Sequence, residues 1–283
     1  MSMRTLFVVA LFLAICAPAK AGSLDGLTVV IDPGHGNDDH GTRRRYGQQL
    51  ITEAQLTWGV ASELRPLLTA DGATVRLTTM QHRLPSEWPP LAVFGRDTIP
   101  ARGADVFMTW GQPSIRGGRA GLEQRFARAR QVLASDSTAT VLYLSLHFDH
   151  VLGRGCPAGA RIIYPAGPYD TLLVVSMVSA FSQAGLLRAD EDGPTVANGR
   201  SGLGRHLFIL RQPHDLRRYR DRLRGRTRLV YNPVPRSLLI ELANLPNNAD
   251  WRRLQTSGAL RRYAQVIRDG LVLYRRASSG SIR

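Results

Sequence analysis

The chain has 283 residues, only two cysteines and a formal net charge of +15 with a pI near 11.1. That length suffices for one sizeable α/β domain, and no internal repeat or low-complexity linker divides it. A disulfide-stapled fold is excluded because Cys16 falls in an N-terminal apolar run and only Cys156 lies beyond it.

Residues 1–21 combine a basic start at Arg4, an apolar run from Leu6 to Ala17 and a small-residue ending, Ala19-Lys20-Ala21. This pattern predicts a secretory signal peptide cut before Gly22, and hence export to the periplasm or cell envelope. The run is too short for a membrane span, so no stable transmembrane segment is expected after cleavage. Ile15 is a poor fit to the small residue that lipoprotein processing wants before Cys16. Loss of Arg4 and Lys20 lowers the net charge by two to +13, and Lys20 is the only lysine, so the remaining basic residues are all arginine. Such a surface favours anionic polymers of an envelope. Nucleic acid is not expected: Asp215 and Asp221 interrupt the arginine-rich stretch 211–233, and no zinc-finger or RNA-recognition motif is present.

Leu27 to Asp32 reads as a short apolar strand that runs into a Pro-Gly turn presenting His35. Leu56, Val60, Leu64, Leu67 and Leu68 recur at helical spacing and place Glu53 in the first turn of a helix that runs to about Leu68. A strand is predicted at Thr74–Thr78, a long irregular stretch follows, and a helix is expected near Leu122–Leu133. The apolar strand VLYLSLH then ends in His147, and further elements are predicted at Arg161–Tyr164 (strand), Thr171–Ala184 (helix), His206–Leu210 (strand) and Arg236–Ile240 (strand). Trp251–Tyr274 reads as one closing amphipathic helix. Alternating strands and helices predict an α/β fold with a mainly parallel sheet covered on both faces. A histidine at the C-terminal end of a buried strand sits where open α/β sheets place ligands, and two can share one crevice if their strands are close.

Four pieces in this order carry a resemblance: Asp32-Pro33-Gly34-His35-Gly36-Asn37 with Asp39 and Gly41, then Glu53, then Ser145-Leu146-His147, then Glu241 after Leu238-Leu239-Ile240. The chain resembles the zinc-dependent N-acetylmuramoyl-L-alanine amidases of amidase type 3, from about Leu27 to about Tyr274. Two departures stand out: Asp149 where the family usually has asparagine, and Ala129-Arg130 where it has an alanine-asparagine pair; Arg125 agrees with the family. The resemblance implies a single α/β domain at 22–283 with longer segments at about 80–121 and 211–233. It also implies Zn²⁺ held by His35, Glu53 and His147, with Glu241 as general base. The implied reaction is cleavage of the amide between N-acetylmuramic acid and L-alanine of peptidoglycan, in wall remodelling.

The residue types suit that chemistry. Zinc hydrolysis needs three protein ligands and an open position for water, and a further carboxylate to move its proton. The sequence offers no Gly-x-Ser-x-Gly elbow, and Cys156 has no obvious base partner, so a covalent route is not expected. A carboxylate at the end of an apolar strand, as at Glu241, is expensive to bury without a task. His40, His82 and His206 read as ordinary polar residues, and His150 as a neighbour of the site; alternation sends Asp149 and His150 to opposite sides. Trp88 and Trp110 either pack the long loop or meet substrate. Two other readings stay open: an inactive wall-binding or regulatory homologue, and a zinc peptidase or amidohydrolase acting on another envelope amide.

Overall fold

The computed structural model describes residues 22–36, 39–81, 91–94, 97–100, 107–109, 119–136, 140–152, 155–165, 170–188, 196–198 and 232–280. The predicted signal peptide, the strand at 206–210, Trp88, Trp110 and most of the two longer segments lie outside the described residues. In chain order the strands are β1 (Leu27–Pro33), β2 (Arg43–Tyr46), β3 (Gln49–Thr52), β4 (Thr74–Leu77), β5 (Thr79–Gln81), β6 (Leu91–Phe94), β7 (Asp97–Pro100), β8 (Phe107–Thr109), β9 (Thr140–Asp149), β10 (Arg161–Tyr164), β11 (Val196–Asn198) and β12 (Ser237–Asn244). The helices are α1 (Glu53–Ala70), α2 (Arg119–Ser135), α3 (Thr171–Gln183), α4 (Asn248–Leu254) and α5 (Ala259–Gly280).

Six strands form one sheet in the order β11-β10-β12-β9-β1-β4. β4, β1, β9 and β12 run parallel, whereas β10 pairs antiparallel to β12 and carries β11 parallel to itself. The sheet is therefore mixed and mainly parallel, with β9 and β12 at its centre, buried along nearly their whole length.

Period-two alternation assigns the two faces of β9. Leu142, Leu144, Leu146 and Phe148 join the larger apolar cluster with Leu56, Val60 and Leu64 of α1, Met177 and Phe181 of α3, and Tyr263, Ile267 and Leu271 of α5. Val141 and Tyr143 face the other way, with Val30, Ile163 and Leu239, under Phe126, Ala129 and Val132 of α2. Helices thus cover both faces, as the α/β pattern requires.

Three segments differ from the sequence reading. The predicted closing helix is two helices, because α4 ends at a Gln255 cap and Gly258 takes a left-handed backbone (φ 69°) before α5 starts. The stretch expected to be irregular contains β5 paired with β8 and β6 paired with β7. Residues 43–52, to which no element was assigned, form a hairpin of β2 and β3 whose two-residue turn opens on Gly47 (φ 57°). Arg44 ties that hairpin to the segment after β12: its guanidinium donates to Asn247 O (3.1 Å) and lies 4.9 Å from the centre of the Trp251 ring. No described helix is long and apolar enough to cross a membrane.

Candidate metal centre

The sheet face that α2 covers turns polar toward the C-terminal strand ends. On β1 it passes from Val30 to Asp32, on β9 from Tyr143 to Ser145, His147 and Asp149, and on β12 from Leu239 to Glu241. Register lines these residues up across the sheet, Asp32 beside Ser145 and His147 beside Glu241. β12 breaks register between Glu241 and Asn244, so the ladder is interrupted just past the carboxylate.

Beyond β1 the chain turns sharply. Gly34 N donates to Leu146 O at 2.8 Å, and a Cβ on Gly34 would stand 2.5 Å from both Leu146 O and the His147 ring, so only glycine fits. His35 follows with φ 64°, a left-handed conformation uncommon outside glycine and held only where surroundings enforce it. The enforcing group is Arg125 on α2, which donates to Asp32 Oδ1 (2.7 Å), to Pro33 O and to His35 O. Thr57 adds a hydroxyl bond to Gly34 O at 2.8 Å. Burial alone would raise the Asp32 carboxyl; Arg125 and the hydroxyls of Thr78 and Ser145 outweigh it and hold it below the usual range.

Replacing Arg125 by methionine should therefore do two things. Asp32 is fully buried, and stripping its cation should lower unfolding stability by about 3–5 kcal/mol in urea titrations. The loosened turn should also weaken metal affinity at the candidate site by roughly 10–100-fold in chelator competition, as loss of an outer support does in metal sites.

The hairpin delivers the carboxylate. β3 ends at Thr52, which caps α1 through a reciprocal exchange with Gln55, and Glu53 is the first residue of the helix. Its Oε2 accepts from Thr42 N (2.9 Å) and its Oε1 from Phe148 N (2.9 Å), so the carboxylate is fixed from both sides. A Cβ on Gly41 (φ 64°) would lie 2.6 Å from Glu53 Oε2 and from the His35 ring.

Glu53 Oε1 lies 3.1 Å from His35 Nε2 and 3.1 Å from His147 Nδ1, and one ligand atom from each of the three residues lies within 4.8 Å of the others. The two imidazoles meet edge to face with centroids 5.0 Å apart. His35 Nδ1 is 2.9 Å from Asp39 Oδ1, a pairing that fixes ring orientation and leaves Nε2 for the shared point. Burial would lower the His35 imidazole, but Glu53 and Asp39 outweigh it and push it up to about 10. Against its own burial, Glu53 is held well below the ordinary carboxylate range by His35 and His147. The field that favours an imidazolium here favours a bound cation equally. Two nitrogens and one oxygen from three side chains also match the donor set and count of a catalytic zinc site with an open position.

Because metal binds neutral imidazole only, uptake of a divalent metal ion at neutral pH should release about one proton from His35, and metal affinity should rise with pH until about 10. Calorimetry in buffers of different ionisation enthalpy reads that count; no proton released would contradict the assignment.

Glu241 is fully buried beside His147 in register. Burial pushes its carboxyl well up, Asp149 and Glu53 push the same way, and Arg161 and His35 oppose them. Asp149 and His150 do part, as alternation requires: Asp149 is buried and His150 is exposed, touching the aspartate only through its backbone N–H among the described contacts. Sequence reasoning assigned no role to Asp39, Arg161 or Arg188. Asp39 had a signal in its fixed distance from His35, whereas the two arginines had none beyond a charge opening the apolar strand RIIY and another closing the apolar QAGLLR.

A His/Glu/His cluster at the strand ends of a mixed α/β sheet, with the buried Glu241 carboxylate on the adjoining strand, is an arrangement that could hold a metal ion and move a proton beside it. Residues 29–272 match the family described as N-acetylmuramoyl-L-alanine amidase, and the chain belongs to it. The N-acetylmuramoyl-L-alanine amidase CwlM of Mycobacterium tuberculosis is 35% identical over 86 residues, which is 30% of this chain and 20% of that protein. The chain thus matches about a fifth of that relative's length. Among solved structures, the amidase Ami1 from Mycobacterium smegmatis superposes with TM-score 0.53 at 16% identity, covering 90% of this chain and 99% of Ami1. The CwlD amidase from Clostridioides difficile, solved with the GerS lipoprotein, gives 0.51 at 16% identity over 88% and 98% of the two chains. At these identities the likeness is one of fold.

Proposed function

We propose that this protein is an exported zinc amidase that cleaves the bond between N-acetylmuramic acid and the L-alanine of the stem peptide during cell-wall remodelling. The observation that carries this reading is the convergence of His35, Glu53 and His147 within 4.8 Å, with Glu241 in register beside His147. Family membership supplies the substrate class, and the solved relatives named as amidases agree with it. Export follows from the composition of residues 1–21, and the catalytic domain is residues 22–283.

His35, Glu53 and His147 would hold the zinc ion. When bound, zinc polarises a carbonyl and acidifies a water, which is the chemistry amide hydrolysis needs. Asp39 keeps the His35 ring turned so that Nε2 faces the shared point. Glu241 accepts a proton from the attacking water and passes it to the departing amide nitrogen. Its raised affinity for protons suits the first half of that task, because a stronger base takes the proton of water more readily. Arg125 and Thr57 hold the turn that aims His35, so the donors are placed before substrate arrives.

The experiment is hydrolysis of purified muropeptides, with and without the sugar, followed by mass spectrometry. Release of intact stem peptide that stops on chelation and returns with zinc supports the proposal. Cleavage that persists after full chelation, or equal cleavage of peptides lacking muramic acid, would overturn it.

A further inference from the structure

The run Arg43-Arg44-Arg45 opens the hairpin that delivers Glu53, and its three arginines are not alike. Arg43 and Arg45 are exposed, whereas Arg44 is partly buried on the other face of β2. Its guanidinium donates to Leu245 O, to Asn247 O at 3.1 Å and to Asn248 Oδ1, and it lies 4.9 Å from the centre of the Trp251 ring. Three acceptors and an aromatic ring around one planar cation form a seat that a lysine ammonium, a compact point charge, would fill only in part.

Both sides of that seat lead to the site. On the hairpin side, Arg44 stands opposite Ile51 and Arg43 opposite Thr52, and Glu53 follows Thr52. Thr42, two residues before Arg44, accepts from Glu53 N at 2.8 Å and donates its own N–H to Glu53 Oε2 at 2.9 Å. The strand that Arg44 anchors therefore continues directly into one of the two grips on the Glu53 carboxylate. On the acceptor side, the carbonyls belong to the segment between α4 and β12, the strand of Glu241. That segment is itself fixed: Leu245 N donates to Asp149 O at 3.0 Å, two residues past His147, and Asn247 caps α4 while its side chain donates to Cys156 O.

The hairpin has modest apolar support of its own. Ile51 is buried in the larger cluster and Tyr46 packs partly against it, and a two-stranded hairpin is marginal in water without further packing. We propose that Arg44 is a positioning residue for Glu53: by pinning the hairpin to the segment after β12, it keeps Thr42 against the carboxylate and holds Glu53 in a fixed relation to the strand of Glu241. The inference rests on Glu53 being a ligand in the proposed metal site.

The test compares Arg44→Met, Arg44→Lys and Arg43→Met in the full mature chain. For Arg44→Met, zinc affinity in chelator competition should fall by about tenfold or more, the scale of losing an outer support. The visible absorption of the cobalt(II)-loaded protein should shift with it, because one donor has moved. Arg44→Lys should recover part of the loss, and Arg43→Met, which removes an exposed neighbour of the same charge, should stay within about twofold of the parent. A readout without metal is amide hydrogen exchange: in Arg44→Met the Thr42 N–H should exchange at least about tenfold faster than in the parent, while amides in the centre of β9 keep their protection. A role confined to general stability would lower the unfolding midpoint and leave the zinc affinity and the cobalt spectrum of the folded protein unchanged. That result, an equal loss of affinity in Arg43→Met, or unchanged exchange at Thr42 would each overturn the proposal. If Arg44→Met does not fold, the lysine variant gives the same reading through smaller shifts in affinity and exchange. A parent protein that binds no zinc would remove the proposed metal site instead, and the exchange comparison would still decide whether Arg44 holds Thr42 against Glu53.

Discussion

Replacing Glu241 with glutamine should lower kcat on muropeptides by about 10²–10⁴-fold, the usual contribution of a positioned proton-transfer group. On the scale of a tenfold change per 1.36 kcal/mol, that is roughly 3–5 kcal/mol of barrier. Glutamine matches the shape of the carboxylate but cannot accept the proton of water. Since burial, Asp149 and Glu53 all act against a charge at Glu241, the neutral amide should be tolerated without loss of stability. Zinc content should also hold, because Glu241 is outside the three-residue cluster. Steady-state kinetics with metal analysis checks both halves; a variant within about threefold of the parent would remove Glu241 from the mechanism.

The second large effect is expected at Glu53. Glu53→Gln keeps the volume and one carbonyl oxygen, so a bond to Phe148 N or to Thr42 N survives. It removes the charge that both imidazoles face at 3.1 Å. Zinc affinity should drop by more than about 100-fold, beyond the 10–100-fold typical of losing a mere outer partner. The His35 imidazole, no longer opposite an anion, should fall from about 10 toward the ordinary range, which ring-proton NMR titration of the metal-free protein would follow. Chelator competition giving parent-like affinity would show that Glu53 is not a ligand.

The sequence displayed the parts of the site that obey strict spacing. Strand β9 showed itself through VLYLSLH, where alternation hides leucines on one face and leads the other from tyrosine through serine to His147. Glu53 was legible because the leucines after it recur at helical spacing and fix the first turn. The hairpin that delivers it was not, since Arg43-Arg44-Arg45 has no apolar face to read and the turn is marked only by Gly47. The break between α4 and α5 was masked by apolar positions on both sides that continue one helical stripe, although Thr256-Ser257-Gly258 carried the signal. Strand order and the reversal of β10 were illegible because they depend on which edges meet, and neighbours along the chain do not specify that. The pairing of Arg161 with Asp149 follows from that reversal and was hidden with it.

The left-handed turn at His35, locked from beneath by Arg125, bears on what loss of an ion would do to the protein. Its imidazole is aimed by backbone contacts and a buried guanidinium, and apolar clusters pack on either side of the sheet beneath it. Small domains that collapse only around their metal lack a core of this size, so here loss of an ion from the proposed site would be expected to silence the protein rather than unfold it.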